Sequence, residues 1–115
     1  MLDWEAYRTQ LGSTLGEMGR LSPGTIRGYR ELGEAGGKTG HLDAKTRELI
    51  ALGVAVTRQC DGCIATHTEL AARHGATREE VMEALGVAIA VNAGAALVYS
   101  ARVMDAFATV APKAE

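Results

Sequence analysis

Residues 43–75 read DAKTRELIALGVAVTRQCDGCIATHTELAARHG, and this stretch decides the fold. Asp43 is a residue type whose short carboxylate accepts an orphan backbone N–H at a helix start. The residues after it, about Ala44–Arg58, hold Leu49, Ile50, Leu52, Val54 and Val56. Apolar residues surround most of this segment, which predicts a helix that is largely buried. A second helix is predicted from about Cys60 to His74, stopped by Gly75, a residue suited to the left-handed conformation beyond a helix end.

The rest of the chain also reads as helix. Residues 3–19 carry Trp4, Leu11, Leu15 and Met18 at separations of three, four and seven. Ser22-Pro23 opens another helix, Ser as N-cap and Pro at the first helical position, bearing Ile26, Tyr29 and Leu32. That helix is expected to dissolve in the Gly-rich stretch Gly33–Gly40. Downstream, Thr77-Arg78-Glu79-Glu80 is a capping box, opening an apolar stretch from Val81 to Val110. Two helices divided near Asn92-Ala93-Gly94 are expected there. No run alternates apolar and polar residues over a strand length, so the fold class is all-α, a single domain over residues 1–115 with five or six helices.

Composition narrows the function. The chain is 47% hydrophobic but only 4% aromatic, with 14 Gly, so its core is built of small aliphatic side chains with little area per residue. Oligomerisation is expected to supply the apolar burial that one small subunit lacks. A net charge of −2 leaves no basic stripe for a phosphate backbone, which excludes nucleic acid as the expected partner. No basic segment followed by an apolar one opens the chain, so a cytoplasmic location is expected. The run Leu85–Ala101 has no charged residue, but its 17 residues fall short of the roughly 20 that cross a bilayer. A buried helix pair, or one pressed on a neighbouring subunit, is the expectation rather than a membrane span.

The chemistry-bearing stretch is Cys60-Asp61-Gly62-Cys63-Ile64-Ala65-Thr66-His67. On a helix, positions 60, 63 and 67 fall within about 60° of one another, which puts two sulfurs within disulfide reach and an imidazole one turn beyond Cys63. Cys60 and Asp61 stand where the helix begins, and unpaired N–H groups there favour a thiolate, the nucleophilic form. Two cysteines one turn apart also occur as buried small hydrophobes, and a lone helical histidine is more often an ordinary surface residue. It is the convergence of the three on one face that points to redox or metal chemistry. Glu48, 12 residues before Cys60, reads either as a solvated first-turn carboxylate beside Lys45 and Arg47 or as the group that orients His67. Residue types alone favour the former slightly. His41 and His74 lie beside turns, as surface or capping residues, and Tyr29 and Tyr99 read as core residues with a hydroxyl at the edge.

The joint pattern Glu48…Cys60-x-x-Cys63-x-x-x-His67, followed by the helix end at Gly75 and the helix after Thr77, resembles the carboxymuconolactone decarboxylase and alkylhydroperoxidase D-like family. The resemblance spans about Leu42 to Met104. It implies an all-α domain with the CxxC at a helix start, assembled as a homo-oligomer, commonly a trimer or hexamer. The peroxidase branch of that family reduces hydroperoxides with the dithiol, whereas its decarboxylase branch generally lacks the CxxC pair. The resemblance therefore implies a thiol-dependent hydroperoxide reductase. In it Cys63 attacks the peroxide, Cys60 closes the disulfide, His67 moves the proton and Glu48 holds the imidazole. It also implies re-reduction by a dithiol, lipoyl-bearing or thioredoxin-like. Relatives often carry a second histidine immediately before the second cysteine, where this chain has Gly62. No flavin, haem or nicotinamide motif is present and no cofactor is expected; Ile64 follows the CxxC rather than the histidine of c-type haem attachment. Three alternatives use the same surfaces. One is a zinc module with Cys60, Cys63, His67 and Glu48 as ligands, another a redox sensor without turnover, and the third a decarboxylase-like lyase.

Overall fold

Asp3, Asp43, Cys60 and Thr77 each present a side chain to the first free N–H groups of a helix, and so determine where four helices start. A computed structural model describes residues 1–112. It contains α1 (Trp4–Leu21), α2 (Pro23–Gly37), α3 (Ala44–Arg58), α4 (Asp61–Arg73) and α5 (Arg78–Ala108), with no strand among the described residues. Asp43 accepts from Thr46 N–H at 2.7 Å. At the start of α5, Glu80 N–H donates to Thr77 Oγ1 at 3.1 Å while Thr77 N–H donates to Glu80 Oε1 at 3.0 Å, the reciprocal capping box. Ser22 stands at the N-cap of α2, but its hydroxyl pairs with that of Thr25 at 2.7 Å rather than with the backbone.

Two boundaries differ from the sequence expectation. The second helix does not dissolve at Gly33; it runs to Gly37, and Thr39 Oγ1 then donates to Gly36 O at 3.0 Å before Gly40 turns with φ +74°. A glycine costs a helix only about 0.5–1 kcal/mol relative to alanine, too little to stop one already propagating. Gly37 also admits the Arg47 guanidinium, 3.5 Å from where a Cβ would stand. Nor does the apolar stretch divide at Asn92-Ala93-Gly94, for α5 is one helix of 31 residues, about 46 Å long at 1.5 Å per residue. The Asn92 amide bonds within the helix to Ala88 O and across to Thr57 Oγ1, both at 2.8 Å, so it clasps α5 to α3 instead of interrupting it.

α3 and α4 form a hairpin against which α5 and α1 pack, with α2 lying on α1. The turn between α3 and α4 is set by Gln59, a non-glycine residue held at φ 52°, after which Cys60 N–H donates to Ala55 O at 3.1 Å. The core consists of Leu52, Ala55, Ala65, Ala71 and Ala88. Four of these five are alanine, so helices approach closely but bury little. In consequence α3 is not largely buried. Its Gly53–Ala88 contact against α5 leaves Ile50 and Val54 more than half exposed along an apolar groove of about 510 Å³ between α3 and α5. Tyr29 and Tyr99 are likewise exposed, at 70% and 66%, and are not core residues; among the described residues, α2 and the far half of α5 contain no buried residue. The result is elongated, 68 × 36 × 35 Å.

Candidate active site

Cys60 occupies the N-cap of α4 with extended backbone (φ −102°, ψ 99°), the position that Ser, Thr or Asp usually takes, and its Sγ accepts the Cys63 N–H at 3.1 Å. Cys63 is therefore the third helical residue, and its side chain swings back to form a disulfide with Cys60 across a Cα–Cα distance of 5.2 Å. Neither sulfur is a free thiol. Among the described residues no group of three or more His, Cys, Asp or Glu side chains is arranged to hold a metal ion.

His67 follows Cys63 by four residues on the same helix, a spacing that puts the two Cβ atoms about 5–6 Å apart. Glu48 approaches from α3, and its Oε2 lies 2.6 Å from His67 Nδ1. The solvated alternative for Glu48 does not hold. Lys45 pairs instead with Glu80 at 2.7 Å, Arg47 donates to Leu42 O, and the Glu48 side chain is only 17% exposed. A carboxylate has no proton to give, so the hydrogen belongs to Nδ1 and a neutral His67 has its lone pair on Nε2. The imidazole, 28% exposed, is thus fixed by a hydrogen bond at one nitrogen and open to accept a proton at the other. His41 and His74 are exposed, and His74 stands at the C-cap of α4.

A third element reaches the dithiol that the residue pattern did not single out. α1 passes over the start of α4, and a Cβ on Gly62 would meet Leu11 Cδ2 at 3.2 Å and the Tyr7 hydroxyl at 3.8 Å. The space beside position 62 is thus occupied by α1, so a side chain there would have to displace Leu11. Arg8 fastens this roof, with Nε donating to Ala65 O at 2.9 Å and Nη2 to Thr68 Oγ1 at 3.1 Å; Glu69 lies 3.5 Å from Nε. Tyr7, Arg8 and Leu11 share one face of α1 by their three- and four-residue spacing, but nothing in the sequence says which helix that face meets. The apolar groove between α3 and α5 is separate from this site, since none of its lining residues belongs to the Glu48, Cys60, Cys63, His67 set.

The profile of the carboxymuconolactone decarboxylase family matches residues 23–106. An uncharacterized protein of Haemophilus influenzae is 46% identical over 105 residues, covering 91% of this chain and 93% of that one. A protein described as uncharacterized protein 4 in the cox locus of Paracoccus denitrificans is 39% identical over 88 residues, covering 76% of this chain and 79% of its own. Among solved structures, an apo carboxymuconolactone decarboxylase family protein from Legionella pneumophila superposes with a TM-score of 0.74 at 35% identity, covering 95% of this chain and 97% of that one.

Proposed function

The chain belongs to the carboxymuconolactone decarboxylase family, and on that premise we propose that it is a thiol-dependent hydroperoxide reductase. The family includes both decarboxylases and peroxidases. The observation that carries the peroxidase reading is the Cys60–Cys63 disulfide standing one helical turn from an imidazole that a carboxylate holds at 2.6 Å.

In the reduced protein His67 Nε2 takes the Cys63 proton, directly or through one water, and Glu48 steadies the imidazolium that results. The Cys63 thiolate attacks the hydroperoxide. A sulfur–oxygen bond forms, the oxygen–oxygen bond breaks, and the alcohol leaves with a proton from His67. Cys60 then attacks the sulfenic sulfur, the sulfur–oxygen bond breaks, and water departs as the disulfide closes. One hydroperoxide and two thiols give one alcohol, one water and one disulfide, and a dithiol reductant restores the thiols.

Copies of this chain are further proposed to associate through α5, which by length and composition alone is apolar enough to cross a membrane. Its near half is packed on α3, so it is already a protein-facing helix. Beyond Asn92 it exposes Leu97, Val98, Tyr99, Val103, Met104 and Phe107, each more than half uncovered. Burying six such side chains is worth on the order of 10 kcal/mol. A second copy presents the same exposed apolar residues and the same α3–α5 groove, as an interface between identical copies requires.

The test of the enzymatic reading is peroxide consumption by pre-reduced protein, with free thiols counted before and after, in the wild type, Cys60→Ser and Cys63→Ser. Two thiols lost per chain, and a sulfenic acid stranded on Cys63 in Cys60→Ser, are expected. Survival of both thiols in excess hydroperoxide overturns the proposal.

A further inference from the structure

The two sulfurs of the disulfide have unlike surroundings, and the difference bears on how the bond is reopened. Cys60 Sγ sits at the N-cap of the 13-residue helix α4 and already accepts the Cys63 N–H at 3.1 Å. A negative charge arriving on that sulfur therefore meets a backbone donor and the positive end of the helix with no proton needed. Cys63 lies inside the first turn. What it has instead is His67 one turn on, a mobile-proton group oriented by Glu48.

Resting on the dithiol reading above, we infer that the disulfide is polarised for reduction: the incoming dithiol attacks Sγ of Cys63 and expels Cys60 as the thiolate. In the first step a bond forms between the reductant sulfur and Cys63 Sγ, the Cys60–Cys63 bond breaks, and its electron pair leaves on Cys60. A better-stabilised thiolate leaves faster, and the Cys63 N–H and the start of α4 stabilise charge on Cys60. In the second step the other thiolate of the reductant attacks its partner sulfur in the mixed disulfide. The reductant closes its own disulfide, the bond to Cys63 breaks, and the pair returns to Cys63, which takes a proton from His67. Two electrons pass from the dithiol to the protein. Cys63 is then the electrophilic sulfur in both halves of the cycle, bearing the hydroxyl on the way in and the reductant on the way out. Cys60 is the sulfur that closes and opens the bond. The Asp61 carboxylate beside Cys60 is exposed and opposes the thiolate only through solvent.

The experiment uses oxidised wild-type protein and a monothiol, glutathione, which forms a mixed disulfide but has no second thiol to resolve it within the adduct. Early time points are quenched with N-ethylmaleimide and the two cysteines are mapped by mass spectrometry. Glutathione on Cys63 with maleimide on Cys60 is expected, in roughly tenfold excess over the reverse arrangement. Glutathione on Cys60, or an even split, overturns the polarity while leaving thiol–disulfide chemistry at the site intact. If glutathione and a dithiol both fail to open the bond, the redox reading itself falls and the polarity with it. In a second measurement, His67→Asn is expected to accumulate the Cys63 adduct of a dithiol by slowing only its release. An unchanged release rate in a folded variant contradicts the role given to the imidazole.

Discussion

Replacing Glu48 by glutamine isolates the charge of the carboxylate from its shape. The pair it alters is a hydrogen bond of 2.6 Å between side chains 17% and 28% exposed. Hydrogen bonds to charged groups contribute about 1.5–3 kcal/mol when buried, and partial exposure here brings the figure down to roughly 1 kcal/mol. The glutamine carbonyl still accepts from Nδ1–H, so the tautomer survives and the fold loses at most about 1 kcal/mol. What disappears is stabilisation of the imidazolium that forms when His67 takes the Cys63 proton. A loss of about 1.4–2.7 kcal/mol at that step slows single-turnover oxidation of the reduced protein by 10- to 100-fold. Glu48→Ala also frees the ring and is expected to approach the loss expected of His67→Ala, about 10²- to 10⁴-fold. Because the two act as one unit, the double alanine variant is expected to be no slower than His67→Ala alone. Stopped-flow thiol loss under excess hydroperoxide compares the four variants with the wild type, with urea unfolding as the control for fold. Glu48→Gln reacting at the wild-type rate, or a double variant whose loss is the product of the single losses, refutes the relay.

Gly75 holds φ +83° with nothing near the position of a Cβ, so Gly75→Ala costs about 1–2 kcal/mol from backbone strain alone. Thermal unfolding is expected to shift down by roughly 4–8 °C, and an unchanged midpoint refutes the assignment. Leu97→Glu with Met104→Glu places two charges on residues 75% and 68% exposed in the single chain, leaving the fold intact while burying charge in any α5-mediated assembly. Light scattering is expected to give a multimer for the wild type and a 12.1 kDa monomer for the variant. A monomeric wild type that sediments with lipid vesicles assigns α5 to a bilayer instead. Glu80 is held below its ordinary pKa of 4.5, chiefly by the hydrogen bond from Lys45 and then by the Thr77 N–H. A depressed folded pKa means that its stabilising contribution is present above about pH 4.5 and lost as pH falls through the folded value. The stability gap between wild type and Glu80→Gln is therefore expected to be open at pH 7 and to close below pH 4.5; a gap constant across that range argues against the Lys45 pairing.

Helix starts and the dithiol were legible in the sequence because they depend on neighbours a few residues away. Asp43, the Thr77–Glu80 box and the stop at Gly75 act through hydrogen bonds or φ angles within one turn, and the three-and-four spacing of Cys60, Cys63 and His67 is a property of any helix. The family pattern rests on the same local spacing. Local reasoning failed where cooperativity or distance entered. Glycines in α2 and Asn92 in α5 look like interruptions one residue at a time, yet a propagating helix and a cross-helix hydrogen bond to Thr57 override them. Gln59 at φ 52° carries no glycine signal, although its left-handed turn is what brings α4 back along α3. The role of Glu48 lay beyond the reach of residue types, since choosing between solvent, Lys45 and His67 depends on which face of α3 meets α4. The roof of Tyr7, Arg8 and Leu11 over Gly62 lies more than 50 residues away in the chain and follows only from packing. Local residue order was enough to establish an all-α chain with a redox-capable pair of sulfurs one turn from an imidazole. Which carboxylate holds that imidazole, what covers the dithiol and which apolar faces stay bare emerged from the packing of the helices, because those contacts join segments that no local rule relates.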